Sequence, residues 1–252
     1  MNRRFFLLST AALPLGCASG GRSADLTAPT PPVRPPMLGQ SWRYAKHDLF
    51  TGALVTTQVD RIAAIDGTIA IDSRTEGSAA AQSAKTAAWG SSWLKKYFTY
   101  DKLGAVLPSE VQSPWGKVLV DPHWGQVQVF ENPIPLWPTQ LQPGWRATFR
   151  TQYKTDDSGS AFSWEQRMKA ADWETIHVPA GDFKVLRFVN TIRYRDPDFS
   201  RTDSVRRETL WFAPEVGRFV ARDSQGSYYL DDSVVDQPYN ENSYRWELLE
   251  WA

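Results

Sequence analysis

The stretch that decides the fold is Glu174–Phe188, which reads ETIHVPAGDFKVLRF. Pro179 fixes the backbone at the first corner of a turn, and Gly181 relieves strain at its exit. Runs rich in β-branched and aromatic residues flank this turn on both sides. We therefore predict two consecutive antiparallel strands joined by the four residues from Pro179 to Asp182.

The segment before this turn shows a long two-residue period. Mostly apolar residues, which we expect to face the core and call inward-type, alternate with charged and polar ones. They do so in two runs, which are separated by a polar turn at residues 156–159. The inward-type positions are Trp145, Ala147, Phe149, Thr151 and Tyr153 in the first run, and Phe162, Trp164, Gln166, Met168 and Ala170 in the second. Such alternation predicts an antiparallel hairpin with one buried face and one solvated face.

Turn signals of the same kind recur along the rest of the chain. Asp66-Gly67 lies between two apolar runs and predicts a hairpin, and residues 213–217 (APEVG) fit a type I turn with Gly217 in a left-handed bulge. We expect strands at residues 42–45, 54–65, 68–75, 183–194, 205–212, 218–222, 228–230 and 244–251. The chain is predicted to be all-β, an antiparallel meander that forms a sandwich or an open or half-closed barrel, with few or no helices outside the export segment.

Two parts of the domain are harder to interpret. Residues 76–88 are rich in Ala, Ser and Gly and are predicted to be a surface loop, followed by a hairpin from residues 93–100 and 105–107. Residues 108–143 contain seven prolines, which cannot donate to a central ladder. We expect short strands at 117–120 and 126–130 there, within a sub-sheet boundary or a flap over one end of a barrel.

The N-terminus has the features of an export signal. A positive start, Met1–Arg4, precedes an apolar run from Phe5 to Gly16 that is too short to span a membrane, which needs about 20 residues. Arg3 and Arg4 followed by FFL resemble the twin-arginine signal, although general export is also open. We predict that residues 1–17 are a signal peptide and that the protein is exported.

Cys17 is the single cysteine of the chain and ends this signal in a sequence, LPLGC, that resembles a lipoprotein cleavage box. We predict that Cys17 is lipidated, and Ala18-Ser19 after it favours the outer membrane by resemblance. Ordinary cleavage after Ala18 is the alternative. Residues 18–37 are rich in Pro and Gly and predict an extended tether, so that residues 38–252 form a single β domain.

Composition and motifs exclude several function classes. The chain has 28 basic and 28 acidic residues, so removal of Arg3 and Arg4 with the signal leaves a slight acidic excess, which argues against nucleic-acid binding. His47, His123 and His177 lack metal-ligand spacing, and common hydrolase and nucleotide motifs are absent from the sequence. Residues 196–203 faintly resemble a calcium loop but fit an Asx-type turn better. We expect no metal, no cofactor and no catalytic residue.

The aromatic content is the best clue to a ligand. The chain holds 12 Trp, 12 Phe and 9 Tyr, which either fill the interior of the β domain or line a cavity within it. If the sheet curls around a cavity, that cavity would accept an acyl chain. The candidate ligand-facing residues are Trp145, Phe149, Phe162, Trp164, Phe188 and Trp211.

Two sequences together resemble a known class. VPAGDF at residues 178–183, followed about 30 residues later by LWFAPEVG at 210–217, resembles an uncharacterised class of bacterial envelope lipoproteins. Members of that class have a Val-Pro-Ala-Gly-Thr-Phe turn and a Trp-Tyr-Ala-Pro-x-Val-Gly turn; Asp182 and Phe212 depart from this pattern. The resemblance covers about residues 145–222 and implies an antiparallel β domain; it supplies no catalytic residues, because none is established for that class.

Two functional hypotheses follow from the sequence. The first is a non-enzymatic lipoprotein on the periplasmic side of the envelope, which binds a lipid-like molecule or an envelope partner. The second is a hydrolase of envelope polymers that uses carboxylates such as Asp196, Asp198 or Glu215. The two differ in whether the aromatic interior is hollow and in whether two carboxylates face each other across an open cleft.

Overall fold

A computed structural model of the chain describes residues 30–76, 109–123, 126–155, 159–231, 237–241 and 243–252. Within these ranges the regular structure is entirely β, and no helix there is long and apolar enough to cross a membrane. The strands are β1 (Ser41–Asp48), β2 (Leu54–Ile65), β3 (Ile69–Glu76), β4 (Glu110–Gln112), β5 (Lys117–Asp121), β6 (Gln128–Pro135), β7 (Arg146–Thr155), β8 (Phe162–Val178), β9 (Gly181–Tyr194), β10 (Arg201–Ala213), β11 (Arg218–Leu230), β12 (Tyr239–Asn240) and β13 (Tyr244–Trp251).

The turn that organises the sequence is confirmed. β8 ends at Val178 and β9 begins at Gly181, and these two residues are paired across the hairpin. The connection is therefore Pro179-Ala180, shorter than the predicted four residues because Gly181 and Asp182 already belong to β9. β8 and β9 are also the two longest strands of the described chain, with 17 and 14 residues.

The strands form a closed barrel. β1 to β11 pair in sequence order, each with the next, and every one of these pairs is antiparallel. β13 then pairs with both β11 and β1, which closes a ring of twelve strands, while β12 adds to β11 outside the ring. The predicted antiparallel meander is confirmed, and closure replaces the sandwich and the open barrel that the sequence left as alternatives.

Two predicted hairpin turns elsewhere agree with the structure. Asp66-Gly67 connects β2 and β3, and Gly217 has a φ of +74° in the turn between β10 and β11. The amide of Gly217 donates to the carbonyl oxygen of Ala213 over 3.0 Å, as a type I turn followed by a bulge requires. One boundary was wrong: Tyr228–Leu230 is the end of β11 and not a separate strand, because the ladder between β10 and β11 continues to Leu230.

The proline-rich middle segment contributes to the same sheet. β4, β5 and β6 bridge β3 and β7, with register shifts within the β4–β5 and β5–β6 pairs. Of the described prolines, Pro133 lies inside β6 at a register shift, where it pairs with neither neighbouring strand, and the others stand at a strand end or in the connections, so none has to donate to the ladder. The short strands predicted at 117–120 and 126–130 correspond to β5 and β6.

Residues 30–40 pack against one end of the barrel. The Arg34 amide donates to the carbonyl oxygen of Pro214 (2.8 Å), and the indole of Trp115 donates to the carbonyl oxygen of Arg34 (3.1 Å). Val33 packs against an apolar cluster inside the barrel that includes Phe188 and Phe212. The last part of the predicted tether is therefore bound to the end that carries the β10–β11 turn.

Several predictions lie outside the described residues. These are the signal peptide at 1–17 with Arg3, Arg4 and Cys17, the tether up to residue 29, the loop from residue 77 onward, and the hairpin at 93–107.

Candidate functional site: the interior cavity

The barrel interior encloses a cavity of about 460 Å³. This volume lies within the usual range for small-molecule pockets, about 300 to 1,000 Å³. One wall is mainly apolar and the other is mainly polar and charged, and the two meet at β10, which carries both Leu210 and Glu208. The apolar wall comes mainly from β6, β8, β9 and β10, and its members are Ile134, Leu136, Trp137, Trp164, Phe188, Ile192, Leu210 and Phe212.

Ten charged side chains line the same cavity. Among the described residues that line it, five are basic and five are acidic. The basic residues are Lys46, Arg201, Arg206, Arg218 and Arg222, and the acidic ones are Asp60, Glu110, Asp121, Glu208 and Glu241. They are inward because their positions share a strand face with core residues, as Glu208 does with Leu210 and Phe212 on β10.

Arg218 is the centre of the first charged cluster. Its side chain is 5% exposed and its Nη2 lies 3.3 Å from Asp60 Oδ2 and 3.6 Å from Glu110 Oε2. The guanidinium also stacks on the ring of Trp42, 4.8 Å from its centroid. Burial disfavours the charged form, but the nearby carboxylates outweigh it and raise the pKa of Arg218, which stays protonated. Arg218 thus joins β11 to β2 and β4 across the barrel.

His123 extends this cluster. Its Nδ1 lies 2.8 Å from Asp121 Oδ1, and its Nε2 lies 3.2 Å from Ser73 Oγ. Burial lowers the pKa of His123, but the hydrogen bond and charge of Asp121, with smaller contributions from Glu110 and Asp60, raise it overall above its usual value. His123 is therefore held more readily in its charged form than a histidine in water.

The contacts of Ser73, His123 and Asp121 have the connectivity of a Ser-His-Asp triad. However, Ser73 is 1% exposed and is not among the residues that line the cavity. Its hydroxyl donates to Asp60 Oδ1 over 2.7 Å, so its proton is directed away from His123. The arrangement is a buried hydrogen-bond network in which the serine oxygen faces no open space.

A second charged cluster lies toward the loop between β9 and β10. Arg222 pairs with Glu208, and Arg206 Nη2 lies 2.6 Å from Glu241 Oε2. Arg201 Nη1 is 3.7 Å from Glu241 Oε1, and the hydroxyl of Tyr194 donates to the same oxygen over 3.1 Å. Each carboxylate of this cluster is therefore neutralised by an arginine.

The six aromatic residues predicted to face a ligand divide into two groups. Trp164 and Phe188 line the cavity and are buried, as predicted. Phe162 is buried on the same inner face, in the cluster with Tyr153 and Trp164, but does not line the cavity. The other three, Trp145, Phe149 and Trp211, do not reach it: they are half-buried and pack against the core clusters.

Glu215, one of the candidate carboxylates of the hydrolase hypothesis, is not brought near the other two. Asp196 and Asp198 lie in the β9–β10 loop and Glu215 lies in the β10–β11 turn, so the 13 residues of β10 separate them. At about 3.3 Å per residue this is roughly 40 Å. Asp198 N donates to Asp196 Oδ1 (2.9 Å) and Ser200 N to Asp198 Oδ1 (3.1 Å), which confirms the predicted Asx-type turns. Burial raises the pKa of Asp196, and Arg201 only partly offsets this.

The remaining histidines are surface residues with local partners. His47 contacts the carbonyl oxygen of Gly52 (3.2 Å), and His177 contacts Asp182 (2.7 Å) at the exposed tip of the β8–β9 hairpin. Across the described ranges no group of three or more His, Cys, Asp or Glu side chains has the geometry to hold a metal ion.

Reasoning from the sequence missed the charged wall entirely. The signal was present in the alternation: Thr56, Gln58 and Asp60 share a face with Ile62 on β2, and Arg206 and Glu208 share one with Leu210 on β10. Polar residues at inward positions are expensive unless they are paired. Their partners, however, come from strands far apart in the sequence.

Fold and site together define a closed antiparallel β-barrel with a cavity that is apolar on one side and charged on the other. No protein-family model matches the chain, and no curated protein matches it. Among solved structures, the chain is similar to a protein of Parabacteroides distasonis that is provisionally described as a lipoprotein. The identity is 11% and the TM-score 0.48, over 86% of this chain and 97% of that one. It is also similar to a Bacteroides fragilis protein with a YmcC-like fold, provisionally described as exported, at 12% identity and a TM-score of 0.44 over 87% and 98% of the two chains.

Proposed function

We propose that this chain is an exported envelope lipoprotein whose barrel binds a small amphiphilic molecule without converting it. The observation that carries the proposal is the cavity of about 460 Å³ with one apolar and one charged wall. An apolar wall of this kind favours an acyl chain, while polar groups opposite it orient a head group. A ring of twelve strands has room for such a site, because larger barrels enclose ligand cavities whereas small ones are filled by side chains.

The proposed location rests on the N-terminal sequence. The signal at residues 1–17 and the cleavage box at Cys17 support export and lipidation, and the outer membrane is the expected destination. The turn sequences at 178–183 and 210–217 support membership of the envelope class that they resemble. Because residues 33–40 pack on the β10–β11 end, we expect that end of the barrel to be nearer the membrane.

Binding is testable on the full chain. Native mass spectrometry of the protein extracted from its own membrane should show an added mass in addition to the anchor, which is lost on delipidation. Leu210→Trp places a large ring in the cavity and should abolish this mass, whereas Thr209→Trp, on the opposite face of β10, should retain it. A protein that carries no added mass in either form would refute the proposal.

A serine hydrolase, which differs from the carboxylate-dependent hydrolase expected from the sequence, is a second candidate, and the contacts between Ser73, His123 and Asp121 are the observation in its favour. The burial of Ser73 argues against it, because a nucleophile must reach its substrate. We expect a fluorophosphonate probe to leave Ser73 unlabelled in the folded protein. Labelling that is lost in Ser73→Ala would establish the hydrolase instead.

A further inference from the structure

Two buried polar side chains of the cavity each have one atom without a hydrogen-bond partner in the described chain. Asn190 is 4% exposed and Arg218 is 5% exposed, and both line the cavity. Asn190 Oδ1 accepts no hydrogen bond, and Arg218 Nη1 donates none, among the described residues. Buried polar atoms are rarely left unpaired, because each costs the desolvation of that atom.

A third buried atom without a hydrogen-bond partner belongs to Arg222. Asn190 on β9 is directly opposite Glu208 on β10, and Glu208 is the ion-pair partner of Arg222. The Nε of Arg222 is buried and has no hydrogen-bond partner in the described part of the chain. The cavity therefore presents an acceptor at Asn190 and donors at Arg218 and Arg222, and ion pairs hold the two arginines in place.

The charges of the cavity constrain the net charge of a ligand. The five basic and five acidic residues that line it cancel when His123 is neutral. Each of the five carboxylates lies within 4 Å of an arginine or of His123. A ligand with a net charge would leave one buried charge without a counter-charge, which is strongly unfavourable.

We propose, building on the amphiphile-binding function above, that the ligand's polar group is uncharged and both donates and accepts hydrogen bonds, as an amide or a hydroxyl does. The donor of this polar group hydrogen-bonds to Asn190 Oδ1. Its acceptor oxygen accepts a hydrogen bond from Arg218 Nη1 or from Arg222 Nε. The alkyl part lies against the apolar wall. While His123 is neutral, carboxylate and ammonium head groups are excluded by the balanced charge of the lining.

The test compares four ligands with the same ten-carbon chain on the delipidated full-length protein. Decanamide and decanol are neutral, whereas decanoate and decylammonium are charged at about pH 8.5, because carboxylic acids and alkylammonium ions in water titrate near about 4 and about 10.4. Titration calorimetry should give the neutral ligands an affinity at least about tenfold higher than either charged one. If decanoate or decylammonium binds as tightly, the charge argument is wrong while amphiphile binding stands. If none of the four binds, amphiphile binding itself fails.

Variants of Asn190 separate recognition from folding. Asn190→Leu removes the acceptor but keeps a side chain of similar volume. The variant should bind decanamide about tenfold more weakly and should bind decane as the wild type does. Asn190→Asp adds a negative charge and should shift the preference toward decylammonium. Thr191→Val, on the other face of β9, is the matched control and should change neither the affinity for decanamide nor the preference between ligands. Unchanged decanamide affinity in Asn190→Leu would overturn the assignment of Asn190.

Discussion

Arg218 Nη2 lies 3.3 Å from Asp60 Oδ2 inside the barrel, with the two side chains 5% and 1% exposed. The pair joins β11 to β2, strands that are separated by more than 150 residues of sequence. Ser73 and Gln58 both donate to Asp60 Oδ1, each over 2.7 Å, so the carboxylate is held by three side chains. Removal of one partner of such a pair strongly destabilises the fold, because it leaves the other charge buried without a counter-charge.

Arg218→Met should therefore destabilise the protein strongly. The variant keeps an apolar stem but leaves Asp60 and Glu110 buried without their arginine, a loss of about 3 to 5 kcal/mol in the free energy of unfolding. Urea denaturation would measure it. The control is Arg150→Met on the outer face, where Arg150 is 70% exposed and 2.8 Å from Glu165, and where a loss below about 1 kcal/mol is expected. Equal losses in the two variants would contradict the buried-pair account.

His123 should make stability depend on pH. Its pKa is raised in the folded state, so its stabilising contribution is fully present below its unfolded pKa of about 6.5 and is lost as pH rises through the folded value. His123→Gln cannot be protonated. The difference in unfolding free energy between the wild type and this variant, measured by urea denaturation from about pH 5.5 to about pH 8.5, should shrink as pH increases. A difference that grows with pH would show that His123 is held neutral.

Gly217→Ala should lower the free energy of unfolding more than Gly144→Ala does. Both glycines have a positive φ, +74° and +80°, so both variants incur backbone strain of about 1 to 2 kcal/mol. At Gly217 the new Cβ would also lie 3.0 Å from the carbonyl oxygen of Arg34, whereas at Gly144 nothing lies within 4 Å. We expect an extra loss of about 1 kcal/mol at Gly217. Equal midpoints in urea would mean that residues 33–37 do not pack firmly on this turn.

Cys17→Ser should release the protein from the membrane fraction. Serine cannot receive the thioether-linked lipid, and without it the N-terminus has no acyl chain to anchor it. Cell fractionation with immunodetection measures the change, and Ser19→Ala, which leaves the cysteine intact, should stay in the membrane fraction. Membrane retention of the Cys17→Ser protein would refute lipidation.

The sequence predicted local structure well where two consecutive strands are joined by a short turn. The β8–β9 hairpin, the Asp66-Gly67 turn and the Gly217 bulge follow from residues close to one another in the chain. Backbone preferences of Pro and Gly, and the two-residue period of a half-buried strand, are properties of short segments. For the candidate site, the same period placed Trp164 and Phe188 on the inner face.

Closure and the charged wall were decided only by the tertiary structure. Pairing of β1 with β13 depends on residues about 200 positions apart, and no local pattern distinguishes a closed ring from an open sheet. Asp60, His123 and Arg218 look like surface residues when each is considered alone, because an isolated charge avoids burial. They are buried here because closure brings strands β2, β4 and β11 around one interior, where each charge finds its partner.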